Sequence, residues 1–244
     1  GLGDVYKRQL PHYIESITSA HPIESTFLRG IVDALNAEVA LGSVTSLDDG
    51  ISWLGFTYLF TRLCKAPRVY GLDAHDFEAD PTLTQRRRQW ITYAANILAQ
   101  HQMVEFDLAA GTLRPTNMGR IASRYYLSHK TVGVFHERLR NNLVEADALS
   151  LMSRAADFDQ IPLRESEEEE LTSLLESVPC EVEGGTATAP GKVNILLQAH
   201  ISYLYVDDFA LVSDMRYVAQ NAGRVLLSLF ELALDKGFAM SASA

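Results

Sequence analysis

Three features are scarce in this sequence: cysteines, long apolar runs and positive charge. Cys64 and Cys180 are the only thiols among 244 residues and lie far apart, which favours a reducing compartment, nucleus or cytoplasm, over a disulfide framework. No stretch approaches the roughly 18 apolar residues that a membrane helix needs, so we expect no membrane contact. The formal net charge of −10 argues against a protein that binds nucleic acid through an overall basic surface.

Charge is also unevenly distributed along the chain. Residues 1–140 contain 15 Lys and Arg against 14 Asp and Glu, whereas residues 141–244 contain 6 against 17. Any contact of the second half with a nucleic-acid strand must therefore come from a local arrangement of side chains. The acidic run at residues 165–170 is typical of the solvated first turns of a helix, where carboxylates favour the positive end of the dipole.

Sequence signatures of catalysis are missing. The Gly191-Lys192 pair lacks the upstream glycine and the following Ser or Thr of a phosphate-binding loop. The seven histidines show no zinc-ligand spacing with one another or with the cysteines, and no nucleophile elbow occurs. We therefore expect no catalytic residue, no metal site and no cofactor in this chain.

The first half carries the outline of a winged helix. Apolar residues at helical spacing predict three helices, with Thr45 and Ser46 capping the second and Gly42 ending the first. Two short runs around Gly111 predict a β-hairpin, and helices followed by a hairpin are typical of a winged helix. A helical domain with a surface hairpin fits the same pattern. The predicted helices cover residues 23–41, 45–63 and 82–102, residues 68–81 are a predicted loop, and the hairpin strands are 103–107 and 112–115.

Two aromatic residues and one basic run belong to these predicted helices. Trp53 and Trp90 stand at positions compatible with packing in the core. The run at residues 86–88, three consecutive arginines, could steer a phosphate backbone, but a solvated helix face is the favoured interpretation.

After Pro115 the pattern is helical only, with Thr116 or Asn117 as the first cap. The fold class predicted for the whole chain is therefore mainly α: a winged helix with a small β-hairpin, followed by an all-α helical bundle. The predicted helices of the bundle are 119–127, 131–139, 145–158, 166–178, 193–204 and 209–236, with a loop at 181–190.

The last predicted helix, residues 209–236, is the most informative. Arg216, Gln220 and Arg224 follow at i, i+4 and i+8 with no acid among them, and their donors suit phosphate oxygens, ribose and bases. The wet face of an ordinary amphipathic helix explains the same stripe. The predicted apolar arc is Leu211, Val212, Met215, Val218, Ala222, Val225, Leu226, Leu229, Phe230 and Ala233, and the predicted polar arc is Arg216, Tyr217, Gln220, Asn221, Arg224 and Ser228.

Several ordered stretches, which together extend over about residues 10–240, resemble the Ski-two-like nucleic-acid helicases with tandem cassettes. In that family the first stretch closes the second RecA-like motor domain, and the last corresponds to a long ratchet helix. The stretches are LPHY (10–13), HPIES (21–25), LNAEVALG (35–42), WLGFTYLFTRL (53–63), TxxGRIASxYYL (116–127), KVNILLQAHIS (192–202) and DMRYVAQNAGR (214–224).

The resemblance implies a domain organisation. Residues 10–22 would end the second RecA-like domain, residues 23–116 would form the winged helix, and residues 117–244 would form a helical bundle of the translocon-subunit-homology type that stops after the ratchet helix. Residues 1–9 match nothing in the family, and we interpret them as a cloning or assembly artefact.

The resemblance also implies a function: the non-motor part of an ATP-dependent 3′-to-5′ RNA or DNA helicase, whose ratchet helix lies along the translocated single strand. Asn221 and Arg224 match the family's strand-facing positions, and Arg216 and Gln220 follow on the same arc. ATP and Mg²⁺ would belong to the motor domains of the parent, so we expect no ATPase site in this chain. The implied partners are single-stranded RNA or DNA, the RecA-like domains of the same chain and the subunits of a larger complex.

Two other functions fit the residues. The winged helix and acidic bundle could recruit proteins as a scaffold, for which an exposed apolar patch would be the distinguishing feature. An independent winged-helix DNA binder is a further alternative, although the nearly neutral charge of residues 23–140 does not favour it.

Overall fold

The computed structural model describes residues 25–237, apart from the side chain of Ala74. The predictions for residues 1–9 and 10–22 lie outside the described residues. Within them the chain forms eleven α-helices and one two-stranded sheet, which agrees with the predicted mainly α fold. The elements are α1 (Ile31–Leu41), α2 (Leu47–Gly55), α3 (Tyr58–Lys65), α4 (Ala74–Ala79), α5 (Thr84–Gln100), β1 (Val104–Asp107), β2 (Thr112–Pro115), α6 (Asn117–Arg124), α7 (His129–Arg138), α8 (Glu145–Ser153), α9 (Glu168–Ser177), α10 (Ala189–Ile201) and α11 (Phe209–Asp235), with 3₁₀ turns at Phe27–Gly30, Pro67–Tyr70, Ala156–Phe158, Glu165–Glu167 and Gly185–Ala187.

The predicted helix ends are confirmed where a local cap sets them. Gly42 ends α1 in the left-handed conformation, at φ +81°, and the Ser46 hydroxyl accepts the N–H of Asp49 at the start of α2. The prediction of one helix over 45–63 is wrong. Thr57 has an extended backbone and its hydroxyl accepts the N–H of Phe60, so a new helix, α3, begins there.

The prediction of a plain loop over 68–81 is also wrong, because it contains α4. Asp73 and Asp76 start that helix with a reciprocal pair of hydrogen bonds, in which each carboxylate accepts the other's backbone N–H at 2.9–3.0 Å. An aspartate pair at this spacing is a capping box and starts even a helix of six residues.

The β-hairpin is confirmed. Val104 pairs with Pro115 and Asp107 with Thr112 in an antiparallel register. The carboxylate of Asp107 accepts the N–H groups of Ala109 and Ala110 and thereby shapes the turn. The segment before α2 adds a short third edge, since Leu113 N–H donates to the Thr45 carbonyl at 2.8 Å. Helices α1 and α5 pack against this small sheet, and α2 packs against α5, which completes the winged helix.

The winged helix and the bundle share one apolar core. Leu35 of α1, Leu98 of α5 and Phe135 of α7 pack in the same cluster as Val218 and Val225 of α11. Trp53 and Trp90 pack against this cluster as partly buried side chains, as predicted. A second, smaller cluster joins α9 and α10 to the first turn of α11. The 27-residue helix α11 therefore runs across both clusters.

The predicted extent of the last helix is confirmed, but its predicted arcs are partly wrong. Asp208 begins α11 by accepting the N–H groups of Ala210 and Leu211. Ser228, assigned to the polar arc, is buried and donates to the Val225 carbonyl at 2.6 Å. Leu226 and Phe230, assigned to the apolar arc, are 49% and 42% exposed. In the last turns of α11, the segments that pack against the helix decide which side is buried, and the average apolar periodicity does not.

The acidic run at residues 165–170 is not simply solvated. Glu167 is fully buried, and its carboxylate pairs with Lys192, which is also fully buried. The remaining acidic residues of α9 start that helix at its exposed side, as the dipole favours.

Candidate nucleic-acid interface

Two of the four predicted strand-binding residues stand on the open face of α11. Arg216 and Gln220 are exposed and lie one helical turn apart. Neither side chain has a hydrogen bond or an ion pair with any of the residues 25–237 that the structure describes. Both are therefore available to a ligand.

Arg224 is placed differently, because it is turned towards the α6–α7 turn. One terminal nitrogen, Nη1, donates to the carbonyl oxygens of Tyr125 and Tyr126, at 2.8 and 3.2 Å. The other, Nη2, donates to the carboxylate of Asp157 and, at 3.1 Å, to the amide oxygen of Asn221. A guanidinium has five N–H groups, so four of them already have a protein acceptor.

Asn221 belongs to the same hydrogen-bonded cluster. Its Nδ2 donates to the Tyr217 carbonyl at 3.0 Å, while its Oδ1 accepts from Arg224. The Tyr217 hydroxyl donates to the Asp157 carbonyl at 3.0 Å, and its ring meets Phe158 edge to face at 6.5 Å between centroids. The structure thus divides the predicted stripe into an open pair, Arg216 and Gln220, and a braced pair, Asn221 and Arg224.

The residues that brace Arg224 are not predictable from a sequence motif. Asp157 lies 67 positions away from Arg224 and Tyr125 lies 99 away, and neither stands in a motif with a known chemistry. The only available signal was the pair of consecutive tyrosines after α6. The second of these, Tyr126, is 85% exposed and has a left-handed backbone, with φ +53°.

A cavity of about 420 Å³ lies beside this cluster, between α1, α6, α7 and the 3₁₀ turn at Ala156–Phe158. Its wall contains charged groups: the Asp33 carboxylate accepts from the backbone N–H of His129 at 2.7 Å and lies 2.9 Å from the His129 ring nitrogen. Arg29 and Lys130 line the same cavity with exposed side chains. The cavity therefore offers cationic groups next to an exposed aromatic ring, Tyr126.

The Gly191-Lys192 pair does not fit a nucleotide phosphate. Lys192 Nζ already donates to the Pro162 carbonyl and to the carboxylates of Glu167 and Asp214, at 2.5–2.8 Å. Gly191 is required by packing, because a Cβ there would lie 1.9 Å from the Gly185 carbonyl oxygen. Over residues 25–237 no group of three His, Cys, Asp or Glu is arranged to hold a metal ion. Helices long and apolar enough to cross a membrane are likewise absent from this part of the chain.

The three consecutive arginines of α5 are engaged within the winged helix. Arg86 and Arg88 pair with Asp76 and Asp48, at 3.5 and 2.7 Å. Arg87 donates to the Ile51 carbonyl and lies 4.8 Å from the centre of the Phe60 ring. Because each of the three arginines has its own protein partner, they do not form a joint binding surface for a phosphate backbone.

Comparison with known proteins gives two family matches. Residues 115–244 match the Sec63 Brl domain, and residues 24–99 match a winged helix-turn-helix domain. The chain is 42% identical over 230 residues to human activating signal cointegrator 1 complex subunit 3. It is 43% identical over 229 residues to the RQC trigger complex helicase SLH1 of Saccharomyces cerevisiae. Each of these two alignments covers 93% of the chain. It is 38% identical over 231 residues to the human U5 small nuclear ribonucleoprotein 200 kDa helicase, with 95% of the chain covered. The chain spans only about a tenth of the length of these relatives, 10–12%.

Proposed function

Because the chain belongs to the Sec63 Brl domain family, we propose that it is a non-motor part of an ATP-dependent 3′-to-5′ helicase and contacts the translocated single strand through α11. The proposal divides the chain as the resemblance implies, into a winged helix over residues 23–116 and a bundle over residues 117–244. The motor domains of the parent would bind ATP and Mg²⁺. The other expected partners are those motor domains and the subunits of a larger ribonucleoprotein or transcription complex in the nucleus or cytoplasm.

One observation carries this proposal: among the described Lys and Arg side chains after residue 140, the one without a protein acceptor, Arg216, lies on the predicted strand face. Of the six Lys and Arg side chains that the structure describes after residue 140, Arg216 alone donates to no protein acceptor. The other five, Arg154, Arg164, Lys192, Arg224 and Lys236, each do so. An arginine left without a partner in an acidic region is a ready contact for a phosphate.

We assign different tasks to the two pairs of residues. Arg216 and Gln220 contact phosphate and ribose directly, since their donors are free. Asn221 and Arg224 border the strand path, where they brace the helix against the Tyr125–Tyr126 turn. Each charged contact that is well desolvated contributes roughly 1.5–3 kcal/mol, or tenfold and more in affinity.

The test is the affinity of the chain for labelled oligouridylate and oligothymidylate, measured by fluorescence anisotropy. The double variant Arg216→Ala/Gln220→Ala should bind at least about tenfold more weakly. The slope of the logarithm of affinity against the logarithm of salt concentration should become smaller by about one, because one phosphate contact is lost.

Arg114→Ala is the matched control, because this exposed arginine of the hairpin carries the same charge outside the proposed path. The affinity of Arg114→Ala for the oligonucleotides should fall much less than that of the double variant Arg216→Ala/Gln220→Ala. A loss confined to Arg114→Ala would place binding on the winged helix and overturn the proposal.

A protein-interaction scaffold is the second candidate, and the end of α11 favours it. Leu226, Leu227, Phe230 and Leu234 are each 42–54% exposed there, and an apolar patch of this kind marks a contact surface. A chain that binds neither oligonucleotide, although correctly folded, would support the scaffold and exclude strand contact.

A further inference from the structure

Tyr126 combines an exposed aromatic ring with a left-handed backbone. Its side chain is 85% exposed, so the ring gains little from burial. Its backbone is left-handed, with φ +53°, a conformation that glycine adopts at lower cost. The backbone conformation closes α6 as a Schellman cap, since the N–H groups of Tyr126 and Leu127 donate to the carbonyls of Ser123 and Ala122. The exposed aromatic ring is the feature to which this cap gives no structural role.

The backbone of Tyr126 is nevertheless held firmly. Arg224 donates to the carbonyl oxygens of both Tyr125 and Tyr126, at 2.8 and 3.2 Å. On the other side of the turn, the N–H of the buried Leu127 donates to the Ala122 carbonyl at 2.9 Å. The ring therefore projects from a fixed point, so that ordering it on binding costs little.

The surroundings of the ring suit a nucleic-acid strand. Tyr126 lines the 420 Å³ cavity together with Arg29 and Lys130, whose charged groups have no acceptor among residues 25–237. Of the three acidic residues in the wall, Asp157 pairs with Arg224, Asp33 accepts a hydrogen bond from the His129 N–H, and Asp159 is exposed. Arg216 lies two helical turns before Arg224, about 12 Å along α11.

We propose that Tyr126 is a stacking platform for a base of the bound strand and that Arg224 is a positioning residue that holds the platform in place. The inference rests on the proposed function, because it extends the strand path from Arg216 and Gln220 to the mouth of this cavity. Every base has a π-face, so the platform would accept any sequence. Arg29 and Lys130 would meet the phosphates on either side of the stacked base.

The first experiment compares Tyr126→Ala with Tyr126→Phe in binding to single-stranded RNA. Removal of the ring should weaken binding about 5- to 100-fold, and phenylalanine should retain most of the affinity. On a strand of the same length without bases, Tyr126→Ala and wild type should bind equally, because only phosphate contacts remain.

Tyr203→Ala is the matched control. Tyr203 is also left-handed, with φ +54°, and 94% exposed. It precedes Asp207 and Asp208 by four and five residues in the sequence, and negative charge disfavours a phosphate backbone. Its affinity should stay within twofold of wild type. Equal losses of affinity in Tyr126→Ala and Tyr203→Ala, or an unchanged affinity in Tyr126→Ala, would overturn the proposal of a stacking platform.

The positioning role of Arg224 predicts that its effect depends on the ring. Arg224→Gln should weaken binding in the wild-type background and change it little when Tyr126 is already alanine, because both variants remove the same contact. If the fold-losses of affinity of Arg224→Gln and Tyr126→Ala multiply in the double variant, the result contradicts the positioning role of Arg224.

These outcomes separate the two proposals. Unchanged binding by Tyr126→Ala together with a loss in Arg216→Ala/Gln220→Ala overturns the platform and leaves strand contact by α11 intact. A wild-type chain that binds neither strand overturns both.

Discussion

Lys192 Nζ lies 2.5 Å from the Oε2 atom of Glu167, and neither side chain is exposed to solvent. The same ammonium contacts Asp214 at 2.7 Å, and Arg164 pairs with both carboxylates. Burial by itself would raise the pKa of Asp214, but the hydrogen bonds from Lys192 and Arg164 outweigh it and lower that pKa. Since Asp214 is two residues before Arg216, this buried cluster fixes the part of α11 that carries the open pair.

Removal of Lys192 should be severely destabilising. Lys192→Ala leaves the buried Glu167 and the partly buried Asp214 with only Arg164 as a charged partner, and the loss of one member of a buried pair costs about 3–5 kcal/mol. The free energy of unfolding in urea measures this loss. Arg88→Ala breaks the exposed pair with Asp48 and should cost less than about 1 kcal/mol. Similar losses in the two variants would show that the Lys192 cluster contributes no more than a surface pair.

Two glycines at helix positions should respond to alanine in opposite directions. A Cβ at Gly119 would lie 2.0 Å from the Met103 carbonyl oxygen, so Gly119→Ala forces α6 away from the hairpin and should cost at least about 1–3 kcal/mol. A Cβ at Gly223 meets no atom within 4 Å among the described residues. Gly223→Ala should therefore add about 0.5–1 kcal/mol through helix propensity. Thermal unfolding midpoints that move in the same direction would contradict this packing.

Stability should fall as the pH is lowered through the range where histidine titrates. Burial is the largest cause that lowers the pKa of both His101 and His136, with nearby positive charge, from His129 and Lys236 respectively, adding to it. The unfolded chain therefore binds protons at a higher pH than the folded chain does, and the free energy of unfolding decreases as the pH falls below about 6.5.

Urea unfolding at about pH 7.5 and about pH 5.5 tests this effect. The double variant His101→Gln/His136→Gln should show a smaller loss between the two pH values than wild type. An unchanged loss would assign the pH dependence to other groups.

Nucleotide hydrolysis is not expected from the chain alone. The only Gly-Lys pair is occupied by packing and buried ion pairs. Phosphate release from ATP in the presence of Mg²⁺ should therefore equal that of buffer, with and without single-stranded RNA. Release that rises with chain concentration would contradict this.

Features set by near neighbours in the chain could be predicted from the sequence. Ser46, Thr116 and Asp208 begin helices through hydrogen bonds to N–H groups two or three residues away, and Gly42 ends one through its own backbone. The hairpin and the extent of α11 follow from equally local patterns. The break at Thr57 was missed because the apolar periodicity continues across it, while one hydroxyl starts the new helix.

What the sequence by itself determined is thus the mainly α fold, the winged helix and the existence of a long helix with polar residues at helical spacing. Tertiary structure decided which of those residues are open. Periodicity gives the angle of a side chain about the helix axis, but not which distant segment covers that angle. Asp157 and the Tyr125–Tyr126 turn bind the Arg224 side chain from 67 to 99 positions away in the sequence. The Arg216 side chain has no hydrogen bond or ion pair with the described residues. The approach of these segments to α11 depends on the core that the winged helix and the bundle share.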